Sequence, residues 1–316
     1  MFNRTLMFAK QHTPNSVRVK ARRVLHEAHN TRVRLTTPVV SRCEFQNIYH
    51  CAVRKTASQW IKALFSDPIV YKYSGLLTYD PRYYGWRDPR VCPPDRIALS
   101  LYFHRSRFDK TPKPEKHRAF FVLRDPRDML VSNYFSTKKS HTPMGDVLEV
   151  RRILQEKPKK DGLLYLIENL EKKGTFKALR SWAVAPPSEA VKLFKYEDLT
   201  GAGQDAEVER LMRHCGIHIP PDEMATLLGR YSFARMNDRN AAGAVSHYRK
   251  GEAGDWRNHF DDDIAAAFDA ATGDLVTLLG YHTATEHRPG AAPLIKGQAG
   301  PADRDESLLK GDANSR

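Results

Sequence analysis

Hydrophobic residues along this chain alternate between short solid runs and longer periodic stretches. The runs FQNIYHCAV (45–53), RIALSLYFH (96–104), RAFFVLR (118–124) and AVKLFKY (190–196) are rich in β-branched and aromatic residues. Each reads as a strand buried on both faces. Between them the period changes to that of a helix. SQWIKALF (58–65) predicts one helix, and PRDMLVSNYFST (126–137), with Pro at its first position, predicts a second. A long amphipathic pattern covers about 162–184, and further helices are predicted over 205–215, 221–229 and 262–280. Near the N-terminus, Thr13-Pro14 reads as a helix start. Val17, Ala21, Val24, Leu25 and Ala28 then recur at helical spacing among basic residues, and Asn30 is a natural stop. No internal repeat is evident.

Strands alternating with helices predict an α/β fold with a mainly parallel sheet flanked by helices. The expected organisation is a basic N-terminal extension over 1–42, one α/β domain over 43–286, and a disordered tail over 287–316, where Gly, Pro, Ala and Asp dominate.

Charge narrows the partners. The 316 residues carry a formal +14, and residues 1–42 hold nine Arg/Lys against one Glu, a net +8. This points to an anionic partner: phosphate or sulfate groups, nucleic acid, acidic glycan or an anionic membrane. The rest of the chain is only mildly basic, which weakens a general nucleic-acid reading. The four cysteines form no CxxC pair and no zinc-like spacing, which fits a reducing compartment. No apolar run approaches membrane-spanning length and MFNRTLMFAK has no apolar signal core. The expected location is cytoplasmic, with peripheral membrane contact through the basic N-terminus as a possibility.

In a parallel sheet, ligands bind beyond the carboxyl ends of the strands. The first strand is followed by VRKTASQW (53–60), which puts Lys55 in a loop and Thr56, Ala57, Ser58 and Gln59 at a helix N-terminus, where free N–H groups favour an anion. Alone, that loop reads sooner as an ordinary helix cap with a nearby lysine, and it is not a Walker loop. The second strand ends at His104, placed for general-base chemistry. The third ends at Arg124, whose guanidinium suits a phosphate, with Ser132 on the next helix. Plain ion pairs within RDPRD are the alternative. The fourth ends in KYEDL (195–199). Together these groups describe a pocket for a multiply phosphorylated ligand held without a metal.

The set resembles the sulfotransferases that use 3′-phosphoadenosine 5′-phosphosulfate (PAPS). RKGEAGDWRNHF (249–260) is similar to the family's RKGxxGDWxxxF segment. LRDPRDMLVSNYF resembles its 3′-phosphate strand and helix, RKTASQW its 5′-phosphosulfate loop, KYEDL its YED segment and YSFARM (231–236) its adenine-packing segment. The resemblance implies a P-loop-like nucleotide-kinase fold and sulfuryl transfer from PAPS to an acceptor hydroxyl, with no metal. It implies Lys55, His104 and Ser132 as catalytic residues, with His104 as base and Lys55 stabilising the leaving phosphate. It places the donor on Arg54, Lys55, Thr56, Ala57, Ser58, Gln59, Trp60, Arg124, Ser132, Tyr196, Phe233, Arg249, Lys250 and Gly251, the adenine lying between Trp60 and Phe233.

Ala57 and Gln59 depart from the family's PKSGTTW. Ala57 is harmless in a first helical turn and costly if φ is positive. The dimer motif of the animal cytosolic enzymes is absent after Phe260, so no dimer is carried over. The acceptor is expected to be a carbohydrate or another hydroxylated metabolite, in a pocket built from 66–95 and 137–165. Three other readings stay open: a P-loop hydrolase or kinase, a nucleic-acid or membrane binder, and an inactive sulfotransferase that only holds nucleotide.

Overall fold

The computed structural model of the chain describes residues 15–84, 92–139, 146–232 and 253–282. It divides into a compact unit, Met1–Tyr281, and a second, His282–Arg316; apart from His282, the described residues all lie in the first. The expected tail, the Thr13-Pro14 helix start, and Phe233, Arg249, Lys250 and Gly251 lie outside the described residues.

Five parallel strands form the sheet: β1 (Asn47–Ala52), β2 (Leu77–Tyr79), β3 (Arg96–Leu101), β4 (His117–Leu123) and β5 (Val191–Lys195), in the order β2-β3-β1-β4-β5. The strands are buried on both faces because helices cover both. Phe120 and Val122 of β4 face one core, and Ala119, Phe121 and Leu123 the other. The first core is closed by α2 (Ser58–Phe65), α3 (Pro68–Ser74), α9 (Tyr196–Thr200), α10 (Gln204–His214) and α11 (Pro221–Arg230). The second is closed by α5 (Pro126–Lys139), α6 (Val147–Glu156), α7 (Lys159–Lys172), α8 (Thr175–Ala183), α12 (Asp262–Thr272) and α13 (Leu275–Leu278). The short α4 (Arg105–Lys110) follows β3.

Four of the five strands fall where the apolar runs predict them. The fifth, β2, has three residues and no readable period. The pattern over 162–184 is two helices, α7 and α8, because Gly174 takes φ 70° between them. The pattern over 262–280 breaks in the same way at Gly273. The N-terminal helix α1 spans Asn15–Thr36 and so runs past Asn30. Asn30 is not a stop because it is buried, donating to the Thr78 carbonyl (2.9 Å) and accepting from the Thr78 hydroxyl.

The topology sets the site. The chain leaves β1 toward β2 and β3 on one side and returns to β4 and β5 on the other. The loop after β1 therefore sits at the switch point of the sheet, between the ends of β3 and β4, where ligands bind in open parallel sheets.

Candidate functional site

The loop after β1 is tight. Lys55 (φ 74°) and Ala57 (φ 60°) are both left-handed, and Ala57 is the N-cap of α2. Turns of this kind gather backbone N–H groups into anion-binding concavities, beside a helix N-terminus that adds its own. Thr56 is fully buried and its hydroxyl donates to the Val53 carbonyl at 2.9 Å. That hydroxyl closes the loop, which leaves the Thr56 backbone as its donor for a ligand. The Ser58 hydroxyl is buried with no hydrogen-bond partner. Gln59 is exposed. Trp60 is buried, and its indole N–H donates to the carbonyl of Tyr231 (2.9 Å), two residues before Phe233.

Two cations meet here. Lys55 is only half-buried as a residue, yet its ammonium is withdrawn from water. Desolvation, and then the nearby charge of Arg124, lower its pKa to about 8. Arg124 reaches the Lys55 carbonyl at 3.5 Å, lies over the Tyr196 ring at 4.4 Å, and keeps its Nε buried without a hydrogen-bond partner. Neither cation has an ion-pair partner among the described residues. The ion pair in RDPRD is instead Arg127 on Asp125, a two-pronged contact at 3.0 and 2.7 Å. Two adjacent cations, an orphaned guanidinium N–H and an orphaned hydroxyl are the donor set an anion completes.

Further residues hold this arrangement. Asp128 accepts from the backbone N–H groups of Gly254 (2.6 Å) and Trp256 (2.8 Å), fixing the GDW turn against α5. Trp256 is buried under Arg127 (3.9 Å) and meets Phe260, which meets Phe268 of α12. Burial raises the pKa of Glu197, which accepts from the Asp125 N–H and the Tyr281 hydroxyl and so ties the end of β4 to that of β5. The sequence suggests an ion pair with Arg127 for Asp128 and a helix cap for the acid pair that includes Glu197, and the structure gives both acids distant partners instead. Their signal was the acid spacing in RDPRD and the acid pair in KYEDL, with partners far away along the chain.

His104 is exposed at the N-cap of α4, and its side chain makes no capping bond. Helix α8 positions it from both sides: Trp182 donates to the Phe103 carbonyl (2.8 Å), and the Arg105 N–H donates to the Ser181 hydroxyl (3.0 Å). Its Nε2 lies 3.7 Å from where a Cβ would stand on Gly174.

His104, Arg54 and Gly174 line one cavity of about 280 Å³. Its walls are apolar through Phe103, Val147, Val150, Leu166 and Leu170, with Asn133, Thr137 and an Asp146–Lys173 ion pair adding polar groups. No described residue of 66–95 lines it, and the second expected acceptor segment contributes Thr137, Asp146, Val147 and Val150. Ser132 is half-buried on α5, one residue before Asn133 of this wall. The structure thus brings Arg54 and His104 to one chamber, with Lys55 and Arg124 paired at the neighbouring strand ends. A smaller cavity of about 230 Å³ lies under α1 and includes no residue of these loops.

A family model described as "Sulfotransferase domain" matches residues 94–280, well over half of the chain. The chain belongs to the sulfotransferase family. The match begins beyond the 53–57 loop, which joins the family reading through its place in the fold. The chain is 29% identical over 196 residues to a 3-alpha-hydroxysteroid sulfotransferase of Cavia porcellus, covering 58% of this chain and 62% of that one. Sulfotransferase 2A6 of Mus musculus is 27% identical over 180 residues, 53% and 59% of the respective chains. The chain thus spans about three fifths of the length of these relatives. The crystal structure of mouse sulfotransferase SULT7A1 complexed with PAP shares the fold, with a TM-score of 0.55 at 17% identity over 77% of this chain and 91% of that one. Among the described residues no cluster of His, Cys, Asp or Glu is arranged to hold a metal, all four cysteines are free thiols, and no helix is long and apolar enough to cross a membrane.

Proposed function

We propose that this sulfotransferase-family chain moves the sulfuryl group of PAPS to a hydroxyl of a small acceptor. The observation that carries the reading is the pair Lys55 and Arg124 at the switch point of the sheet, a desolvated ammonium beside a guanidinium whose Nε is buried without a hydrogen-bond partner, neither of them in an ion pair among the described residues. That pair fits a donor with a phosphate at each end of its sugar. Family membership and the PAP-bound structural neighbour support the same donor.

The proposed roles are those the resemblance implies, with the described residues in support. Backbone N–H groups of Thr56, Ala57, Ser58 and Gln59 hold the 5′-phosphate, with the orphaned Ser58 hydroxyl as a further donor. Arg124 and Ser132 hold the 3′-phosphate, together with Arg249, Lys250 and Gly251, which precede in sequence the GDW turn pinned by Asp128. Trp60, whose indole N–H is held by the Tyr231 carbonyl, packs on the adenine with Phe233. Tyr196 packs under Arg124. The acceptor oxygen attacks sulfur in line while the bridging S–O bond breaks. His104 takes the acceptor proton, and Lys55 meets the charge left on the phosphate oxygen. Positioning and electrostatics supply the rate, and no step calls for a metal.

The walls around His104 are mixed, the apolar side chains of α6 and α7 standing alongside Asn133, Thr137, Asn169, Thr175 and the Asp146–Lys173 pair. We assign the cavity to a small hydroxylated acceptor with an apolar body, as the names of the hydroxysteroid relatives suggest. Calorimetric titration of the full chain with 3′-phosphoadenosine 5′-phosphate, with chelator present, tests the donor site. One-to-one binding is expected, weakened roughly 10- to 100-fold by Arg124→Ala. Affinity unchanged by that substitution would remove Arg124, and the reading with it.

A further inference from the structure

Helix α1 docks with its polar side and turns its apolar side outward. It holds the domain through buried His26 and Asn30, both bonded to the Thr78 carbonyl, and through buried Val33. At 100° per residue, Val17, Ala21, Val24, Ala28 and Leu35 fall on one stripe roughly opposite that face. Val17, Val24, Leu25 and Leu35 are 50%, 67%, 71% and 76% exposed, and Val40 beyond the helix is exposed as well. Most of the large apolar side chains exposed among the described residues are in this one segment. A surface helix of a globular domain normally shows the reverse arrangement. Lys20 and Arg32 flank the stripe, with Arg18, Arg22 and Arg34 further round, in a segment of net +8.

We propose that α1 lies along an anionic membrane surface, its apolar stripe at the headgroup–acyl boundary and its flanking cations on the lipid phosphates. An apolar centre between basic flanks is the pattern of an interfacial helix, since long basic side chains reach headgroups while their stems lie along the apolar band. Charge argues against a second copy of the chain, because pairing two such helices brings two +8 segments together. Nucleic acid would use the charge and leave the stripe in water. The inference is independent of the chemistry at the strand ends.

The test is co-sedimentation of the full chain with vesicles of phosphatidylcholine alone or of equal parts phosphatidylcholine and phosphatidylglycerol. Binding to the anionic vesicles is expected to be at least about tenfold tighter and to weaken with salt. Val24→Ser with Leu35→Ser should reduce it about tenfold or more without changing the unfolding midpoint, since both residues are exposed. Lys20→Gln with Arg32→Gln should weaken only the anionic binding and flatten its salt dependence. Three results would overturn the proposal: no sedimentation with either vesicle, binding that survives the serine pair, or a wild-type dimer on gel filtration that the serine pair dissolves, which would give the stripe to a second copy.

Discussion

Lys55 carries both the strain and the charge of the site. Its left-handed backbone turns the loop, and its buried ammonium sits beside Arg124 with a pKa of about 8. An anion bound beside it favours the charged form and moves that pKa back up. Between roughly pH 8 and 10, binding of 3′-phosphoadenosine 5′-phosphate should therefore take up part of a proton, and at lower pH almost none. Titration in buffers of different ionisation enthalpy reads this directly, and Lys55→Met should abolish it. For transfer, His104→Ala should lower turnover by a factor on the order of 100 while leaving nucleotide affinity intact. Near-normal turnover would remove His104 as the base. Ala57 shows where the sequence was ambiguous. It is compatible with a helical turn or with a left-handed cap, and the φ of 60° decides for the cap. Ala57→Gly should accordingly stabilise the chain by about 1 kcal/mol in denaturant unfolding.

At the scale of elements, the sequence showed what periodicity and strand composition encode and missed what depends on distant partners. The four long strands and the helices α2 and α5 stand where their patterns put them. The splits at Gly174 and Gly273 were hidden because the apolar period continues through both glycines, and β2 is too short to carry a period. Asp128 was invisible as a support because the N–H groups it accepts from lie 126 and 128 residues away. Replacing it by Ala leaves two N–H groups without their acceptor, at about 1–3 kcal/mol each if they stay buried. It should also loosen the turn that leads back to Arg249 and Lys250, lowering nucleotide affinity at least about tenfold. Asp128→Asn keeps one acceptor and should lose less of both, as parallel unfolding and binding titrations would show. A nucleotide affinity unchanged in Asp128→Ala would separate the GDW turn from the donor site.

For the whole molecule, the centre of the sheet predicts an acid response. His50 of β1 is fully buried against Phe120, and desolvation, then the charge of Arg82, lower its pKa to about 3; burial also lowers His214 to about 4. The unfolded chain takes up these protons near pH 6.5 and the folded chain does not. Stability is thus full above about pH 6.5 and falls as the pH drops toward 4, by roughly 1.4 kcal/mol per pH unit for each histidine. His50→Asn keeps an acceptor for the Ser100 N–H and should flatten that slope by one proton's worth. The molecule as a whole combines strand-end loops that were legible in short motifs with a chamber beside His104 that was not. The chamber's walls come from α5, α6, α7 and α8, and no local pattern announces which of their side chains meet.

The most direct measurement is transfer itself. The full chain is incubated with PAPS, chelator and a panel of apolar alcohols and sugars, and the products are weighed by mass spectrometry. The expected result is that at least one small alcohol gains a single sulfuryl group in step with release of 3′-phosphoadenosine 5′-phosphate, and that Lys55→Ala slows this about 100-fold or more. Transfer that proceeds at full rate in Lys55→Ala, or a protein that neither binds the donor nor sulfates any acceptor, would contradict it.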